Sequence, residues 1–294
     1  MSSTRWAAQN PKEKIIPIKN PTNPAQKIPA PNFLSLTLNM AINSIVKLLG
    51  AVKKSFVGVV FNYLLTCRFI YLTKKEVFME ITWFGQSAFK ILGKGAIIVT
   101  DPYTPEMMGI KFPAITADIL TISHDHGDHN YVGGVISPSF IAKGPGEYEI
   151  KGVSFTGTPS YHDNKEGSER GQNVIFTFQQ DGIKLCHLGD LGQDSLTDEQ
   201  LENIGDVDIL LIPVGGNYTL DAAHAARVVA QLNPKIIIPM HFKIAGMELP
   251  ITGVDLFLKE MGKEDITAIP KLSITVDKLP EEAQVVVLES LNAR

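Results

Sequence analysis

Cysteine is scarce in this chain of 294 residues, with Cys67 and Cys186 the only two. Two thiols cannot build a disulfide-stapled scaffold. The chain reads as a protein of a reducing compartment, in the simplest case cytoplasmic. A basic surplus is missing too. The formal net charge is −4, and a broad nucleic-acid surface needs clustered Lys and Arg to meet phosphate. No uninterrupted apolar run reaches the roughly 20 residues of a membrane-spanning helix. The most hydrophobic window, residues 56–72, is interrupted by Asn62 and Arg68. A membrane anchor there is the alternative localisation, and it would set an arginine in hydrocarbon. A secretory signal is disfavoured because the apolar region starts too late.

The overall charge hides a division. Residues 1–78 carry 11 Lys/Arg against 2 Asp/Glu, and residues 79–294 carry 16 against 29. The first part is therefore +9 and the second −13. Pro11, Pro17, Pro21, Pro24, Pro29 and Pro31 crowd the first 32 residues. Repeated proline removes helical donors and predicts disorder. From Phe33 the chain turns apolar, and Leu34, Leu38, Ile42, Ile45 and Leu49 predict a helix. Met79 precedes a regular domain pattern. Residues 1–78 are thus read as a basic extension, disordered and then apolar, outside the native domain and added by start-site choice.

From Met79 onward, short β-rich runs are punctuated by glycine: Ile81–Phe84, Ala88–Leu92 and Ala96–Thr100. That pattern predicts an antiparallel start. Residues 104–117 read as a loop or short helix, and 118–122 as a buried strand. A short helix is expected from Asp128 to about Val135. Further strands are expected at 138–142, 153–158, 173–179, 183–188, 207–212, 235–239, 271–276 and 284–288. Helices are expected at 197–204, 220–232 and 252–261, with Asp221 or Thr219 capping the second. Strands dominate the first half and strand–helix alternation the second. The prediction is two packed sheets with helices outside.

The chemistry concentrates in His124-Asp125-His126-Gly127-Asp128-His129, directly after the strand at 118–122. Neutral imidazole and carboxylate suit zinc, iron or manganese. In α/β sheets the carboxyl ends of strands are where ligands sit. His162, Asp190 and His241 each follow another expected strand. Any one alone reads as an ordinary polar residue, but seven candidates converging from several strand ends suffice for two metal ions. Such a pair acidifies water to hydroxide and holds the substrate's oxygens. Asp101 and Asp125 are candidates to orient the imidazoles.

His124-x-His126-x-Asp128-His129, followed by His162, Asp190 and His241, resembles the metallo-β-lactamase superfamily signature in order and spacing. Supporting text is Trp83–Ser87, Thr100–Tyr103, Gly144–Tyr148 and Pro213–Thr219. The nearest resemblance is to simple metal-dependent hydrolases that include ascorbate-6-phosphate lactonase-like proteins. It implies a four-layer αββα sandwich over 79–294. It also implies His124, His126 and His162 on a first metal, and Asp128, His129 and His241 on a second. Asp190 would bridge them, with Asp128 and Asp190 taking part in catalysis. The resemblance implies zinc first, with manganese or iron as alternatives.

The expected activity is hydrolysis of an ester, lactone or phosphoester in a small molecule, with Lys165 and Arg170 available to an anionic group. Gly215, Gly216 and Asn217 are candidates to stabilise an oxyanion, against an ordinary glycine turn. His187 reads as a supporting or core histidine, His224 as peripheral and Cys186 as core. A phosphodiesterase or nuclease is the main alternative, disfavoured by the acidic domain. A redox di-iron module is disfavoured because such relatives carry glutamate where His126 stands. A non-catalytic metal-binding protein is the remaining alternative.

Overall fold

The computed structural model describes residues 78–291. The expectations for residues 1–77, including the helix from Phe33 and the anchor at 56–72, lie outside them. Among the described residues no helix is long and apolar enough to cross a membrane.

The chain opens with the antiparallel strands β1 (Met79–Gly85), β2 (Ala88–Leu92) and β3 (Ile97–Thr100). A one-turn helix α1 (Pro105–Met108) and a two-residue strand β4 (Ile115–Thr116) follow. Then β5 (Ile119–Thr121) runs parallel to β3. The strand β6 (Val135–Ile136) pairs with β4, and β7 (Phe140–Ala142) runs parallel to β5. The second half contributes β8 (Gly146–Ile150), β9 (Val153–Tyr161), β10 (Gln172–Gln180) and β11 (Ile183–His187). After these come α2 (Asp198–Ile204), β12 (Ile209–Pro213), α3 (Ala222–Leu232) and β13 (Ile236–Met240). The last elements are α4 (Asp255–Glu260), β14 (Leu272–Ile274) and β15 (Gln284–Val285).

Two sheets result. One has the order β14-β1-β2-β3-β5-β7 and the other β15-β13-β12-β11-β10-β9-β8. Period-two alternation explains how the first sheet packs on both faces. Met79, Ile81, Ile98 and Ile119 join the large core, which also contains Phe176, Leu211 and Ile238 of the second sheet. Their neighbours Phe84, Val99 and Leu120 join a smaller core with Tyr103, Met108 and Ile251. The layer over that outer face is thin, made of α1, the β4–β6 pair and loop residues. Helices α2 and α3 lie against the second sheet, completing the four-layer sandwich.

The helix starts follow local chemistry. Thr197 caps α2 in a reciprocal capping box with Gln200. Asp221 caps α3 by accepting from the His224 N–H at 2.9 Å; Thr219 does not.

One expectation needs correction, and one strand carries no sequence signal. No α-helix runs from Asp128 to Val135. His129 and Asn130 both donate their N–H to the His126 carbonyl, closing a turn, and only a 3-10 turn at Val132–Gly134 follows. Strand β8 was not anticipated. Gly-Glu-Tyr-Glu-Ile forms the sheet edge, where its glutamates stay exposed, so the sequence shows no apolar run.

Candidate metal centre

Parallel pairing sets the site. Strands β11, β12 and β13 run parallel, so Asp190, Gly215 and His241 leave the second sheet at the same edge. Parallel β3 and β5 bring Asp101 and the segment 124–129 to the facing edge of the first sheet. His162 follows β9, and close approach fixes it there. A Cβ on Gly192 would lie 2.3 Å from the His162 carbonyl oxygen. At Gly215 it would lie 2.1 Å from that of His241. Only glycine fits at either position. His241 has φ 51°, a left-handed backbone that is costly for a residue with a Cβ and that clusters at functional sites.

The seven candidates meet in two groups, each able to offer converging ligand atoms: His124, His126 and His162, and then Asp128, His129, Asp190 and His241. Ring centroids of His124 and His126 are 4.5 Å apart, and those of His124 and His162 4.7 Å. Asp190 joins the groups. Its Oδ2 lies 3.0 Å from His129 Nε2, 3.1 Å from His241 Nε2, 3.5 Å from His162 Nε2 and 4.0 Å from His124 Nε2.

The outer contacts are specific. His129 Nδ1 sits 2.9 Å from Asp101 Oδ2, and Asp101 also accepts from the Ser123 N–H and hydroxyl. Asp101 therefore takes the expected orienting role. Asp125 does not. It is exposed and accepts from Asn130 Nδ2 at 2.6 Å. Gln86 and Ser87, in the β1–β2 turn, support the site as well. Gln86 Nε2 donates to Asp128 Oδ2 at 2.9 Å, and its carbonyl accepts the His241 N–H. Ser87 Oγ donates to Asp190 Oδ1 at 3.4 Å. His187 is buried as expected, with Nε2 2.9 Å from the Ser87 carbonyl. Cys186 is core; burial pushes its thiol up to about 12.

Burial and neighbouring charge set the protonation. Burial, reinforced by His129, drives His124 down to about 3, and burial lowers His162 as well. Both rings keep a lone pair at ordinary pH. Burial opposes charge on His129 too, but Asp190 and Asp128 outweigh it and hold its pKa well above the usual value. Asp190 stays ionised against burial because His129 and His241 face it. The pocket thus asks for positive charge between its carboxylates, and metal binding there would release protons.

The donor set fits a metal on a further observation. His124 Nε2, His129 Nε2, His162 Nδ1 and both ring nitrogens of His241 are buried without a hydrogen-bond partner. Each such orphan costs about 1–3 kcal/mol. The 3.0 Å contact of His129 with Asp190 lacks hydrogen-bond alignment; the unpartnered Nε2 atoms of His124, His129 and His241 all lie within 4.0 Å of Asp190 Oδ2 and so face one space.

That space opens into a cleft of about 400 Å³ lined by Met107, His126, Asp128, His162, Asp190, Arg170, Tyr218 and Leu249. Lys165 is engaged elsewhere, paired with Glu169 on the surface. Asn217 is exposed and its amide donates to the Pro250 carbonyl at 3.2 Å, so an ordinary turn, not an oxyanion donor, describes it. His224 lies at a neighbouring cavity between Asp221 and Asp194, peripheral as expected.

Comparison with known proteins agrees with this picture. Residues 80–241 match the family model described as the beta-lactamase superfamily domain. A metal-dependent hydrolase of Methanosphaera stadtmanae is 30% identical over 240 residues, covering 69% of this chain and 98% of the relative. One from Thermococcus onnurineus is 26% identical over 190 residues, 56% of this chain and 84% of the relative. A Thermotoga maritima structure, described as a zinc-dependent hydrolase of the metallo-beta-lactamase superfamily, shares 39% identity at a TM-score of 0.58. It covers 72% of this chain and 98% of its own.

Proposed function

Since this chain belongs to the beta-lactamase superfamily and is a metal-dependent hydrolase, we propose that it uses two divalent metal ions to cleave an ester, lactone or phosphoester in a small molecule. His124, His126 and His162 would hold one ion, and Asp128, His129 and His241 the other, with Asp190 shared. The observation that carries this reading is the position of Asp190 Oδ2, within 4.0 Å of ring nitrogens from both groups. When bound, such ions supply Lewis acidity and acidify water. Zinc heads the candidates, with manganese or iron accepted by the same donors.

The chain's own residues perform the rest. Asp101 and Gln86 fix His129 and Asp128 so that little reorganisation is needed on binding. Asp128 and Asp190 line the cleft, and their carboxylates are at hand to accept the proton of an attacking water. Met107, Leu249 and Tyr218 add apolar wall to the cleft. The chemistry is assigned to residues 79–294, which hold all seven histidines of the chain and the whole family match. Their charge of −13 favours a small molecule over nucleic acid.

Metal analysis of the full-length protein tests this reading. About two ions per chain are expected. One ion per chain would refute the paired arrangement, and none after reconstitution with zinc, manganese and iron would refute the mechanism.

A further inference from the structure

The cleft has one cation that the proposed metal sites leave unused. Arg170 lines it, and also lines an adjoining cavity of about 220 Å³ beside Asp163, Asp194 and Tyr218. Its guanidinium carbon sits 5.7 Å from the Tyr218 ring centroid, a cation–π distance. The backbone is held as well. The Arg170 N–H donates to Asp163 Oδ2 at 2.7 Å, and Asp163 directly follows His162. The arginine is therefore positioned from both ends, in register with a residue of the metal centre.

Among the described residues the guanidinium has no carboxylate partner, although Asp163 and Asp194 line the same small cavity. Lys165 contrasts with it: it is surface-exposed and neutralised by Glu169. A half-buried arginine usually has a charge to meet. The other walls of the cleft, Met107, Leu249 and the Tyr218 ring, suit an apolar body. Its volume is in the range of small-molecule sites.

We propose that Arg170, braced by Tyr218, is a specificity-determining residue that binds an oxyanion on the substrate, so that the molecule cleaved joins a carboxylate or phosphate to an apolar body. This rests on the hydrolase reading above and names the substrate class for the same cleft. Guanidinium presents a planar fork to two oxygens, which a lysine cannot reproduce.

Two measurements on the metal-loaded full chain test it. In calorimetric titration, phenyl phosphate and phenylacetate probe the two oxyanions, and benzyl alcohol serves as the neutral control. Arg170→Gln should weaken binding of at least one anion about tenfold or more. Arg170→Lys should recover part of that loss, and Lys165→Gln should change nothing. The second measurement compares mono(4-nitrophenyl) succinate with 4-nitrophenyl butyrate. The kcat/KM ratio of anionic to neutral ester should fall about tenfold in Arg170→Gln, mainly through KM. Unchanged binding of both anions overturns the assignment, and so does an equal fall for both esters. If wild type cleaves neither ester while anion binding still depends on Arg170, the ester reading fails and the anion site stands.

Discussion

The two groups of candidate ligands differ in how they meet solvent. Asp128, His129, Asp190 and His241 are all buried, and Gln86, Ser87 and Asp101 bind to three of them. In the other group, His124 and His162 are buried but His126 is exposed on the cleft. One position is closed; the other has an open wall, though Ser123 Oγ braces it at 3.0 Å from His124 Nδ1. Tight structural sites are closed and catalytic ones keep an open position. The closed group is suited to retaining an ion, and the open group to presenting one to substrate. The contrast also explains the sign of the charge demand, since both carboxylates among the seven belong to the closed group.

Removing the element common to both groups should have the largest effect. Asp190→Asn keeps the shape and deletes the shared charge. Hydrolysis of a generic ester should fall beyond the roughly 100-fold that marks loss of an orienting partner, and metal content should drop below two ions per chain. A variant retaining both ions and wild-type rate would show that Asp190 Oδ2 does not join the groups, and the comparison would collapse into two independent sites.

A change centred on the closed group should be smaller, with a weaker effect on the open group, because Ser123 links Asp101 to His124 Nδ1 at 3.0 Å. Asp101→Asn removes the carboxylate facing His129 Nδ1. Affinity for one ion should weaken about 10–100-fold, the usual cost of losing such a partner, and affinity for the other by less. Competition with a chelator, followed by metal analysis, reads the two steps separately. Equal loss of both ions would mean that Asp101, acting through Ser123, braces His124 as firmly as it braces His129.

The seven candidates were legible because they stand at or within a few residues of expected strand ends, a pattern in one dimension. Asp101 was legible for the same reason, closing β3. Asp125 misled because sequence neighbours in a turn point in different directions; its side chain meets Asn130 in solvent. Gln86 could not be assigned its role from its neighbours. It reaches Asp128 across 42 residues, from a backbone at φ 51° in the β1–β2 turn. The helix expected from Asp128 failed because Gly133 and Gly134 break what the apolar spacing allowed. Arg170 and Lys165 looked equivalent in one polar loop, and only folding separates them by pairing Lys165 with Glu169. Strand order within the sheets was set by long-range pairing, which no local pattern encodes.

The same loop supplies the smallest expected effect, and it sharpens the open side of the comparison. Asp163 accepts four backbone N–H groups, from Lys165, Gly167, Glu169 and Arg170, at 2.7–3.0 Å. Burial opposes its charge, but these donors outweigh it and hold the carboxyl below its ordinary value of 3.8. A folded pKa below the unfolded one stabilises the protein above the unfolded value. That contribution is lost as pH falls through the folded value. Asp163→Ala removes the acceptor and leaves the loop donors to water, so it should cost about 1–3 kcal/mol at pH 7. The gap from wild type should be constant down to about pH 5, where the carboxyl begins to titrate in the unfolded chain, and should narrow below it. Urea midpoints of chelated protein between pH 3 and 7 measure the gap. A gap independent of pH throughout would mean that Asp163 acts by shape and not by charge. The loop carrying His162 and Arg170 would then be held by its glycines, and the open half of the centre would owe nothing to the charge of Asp163.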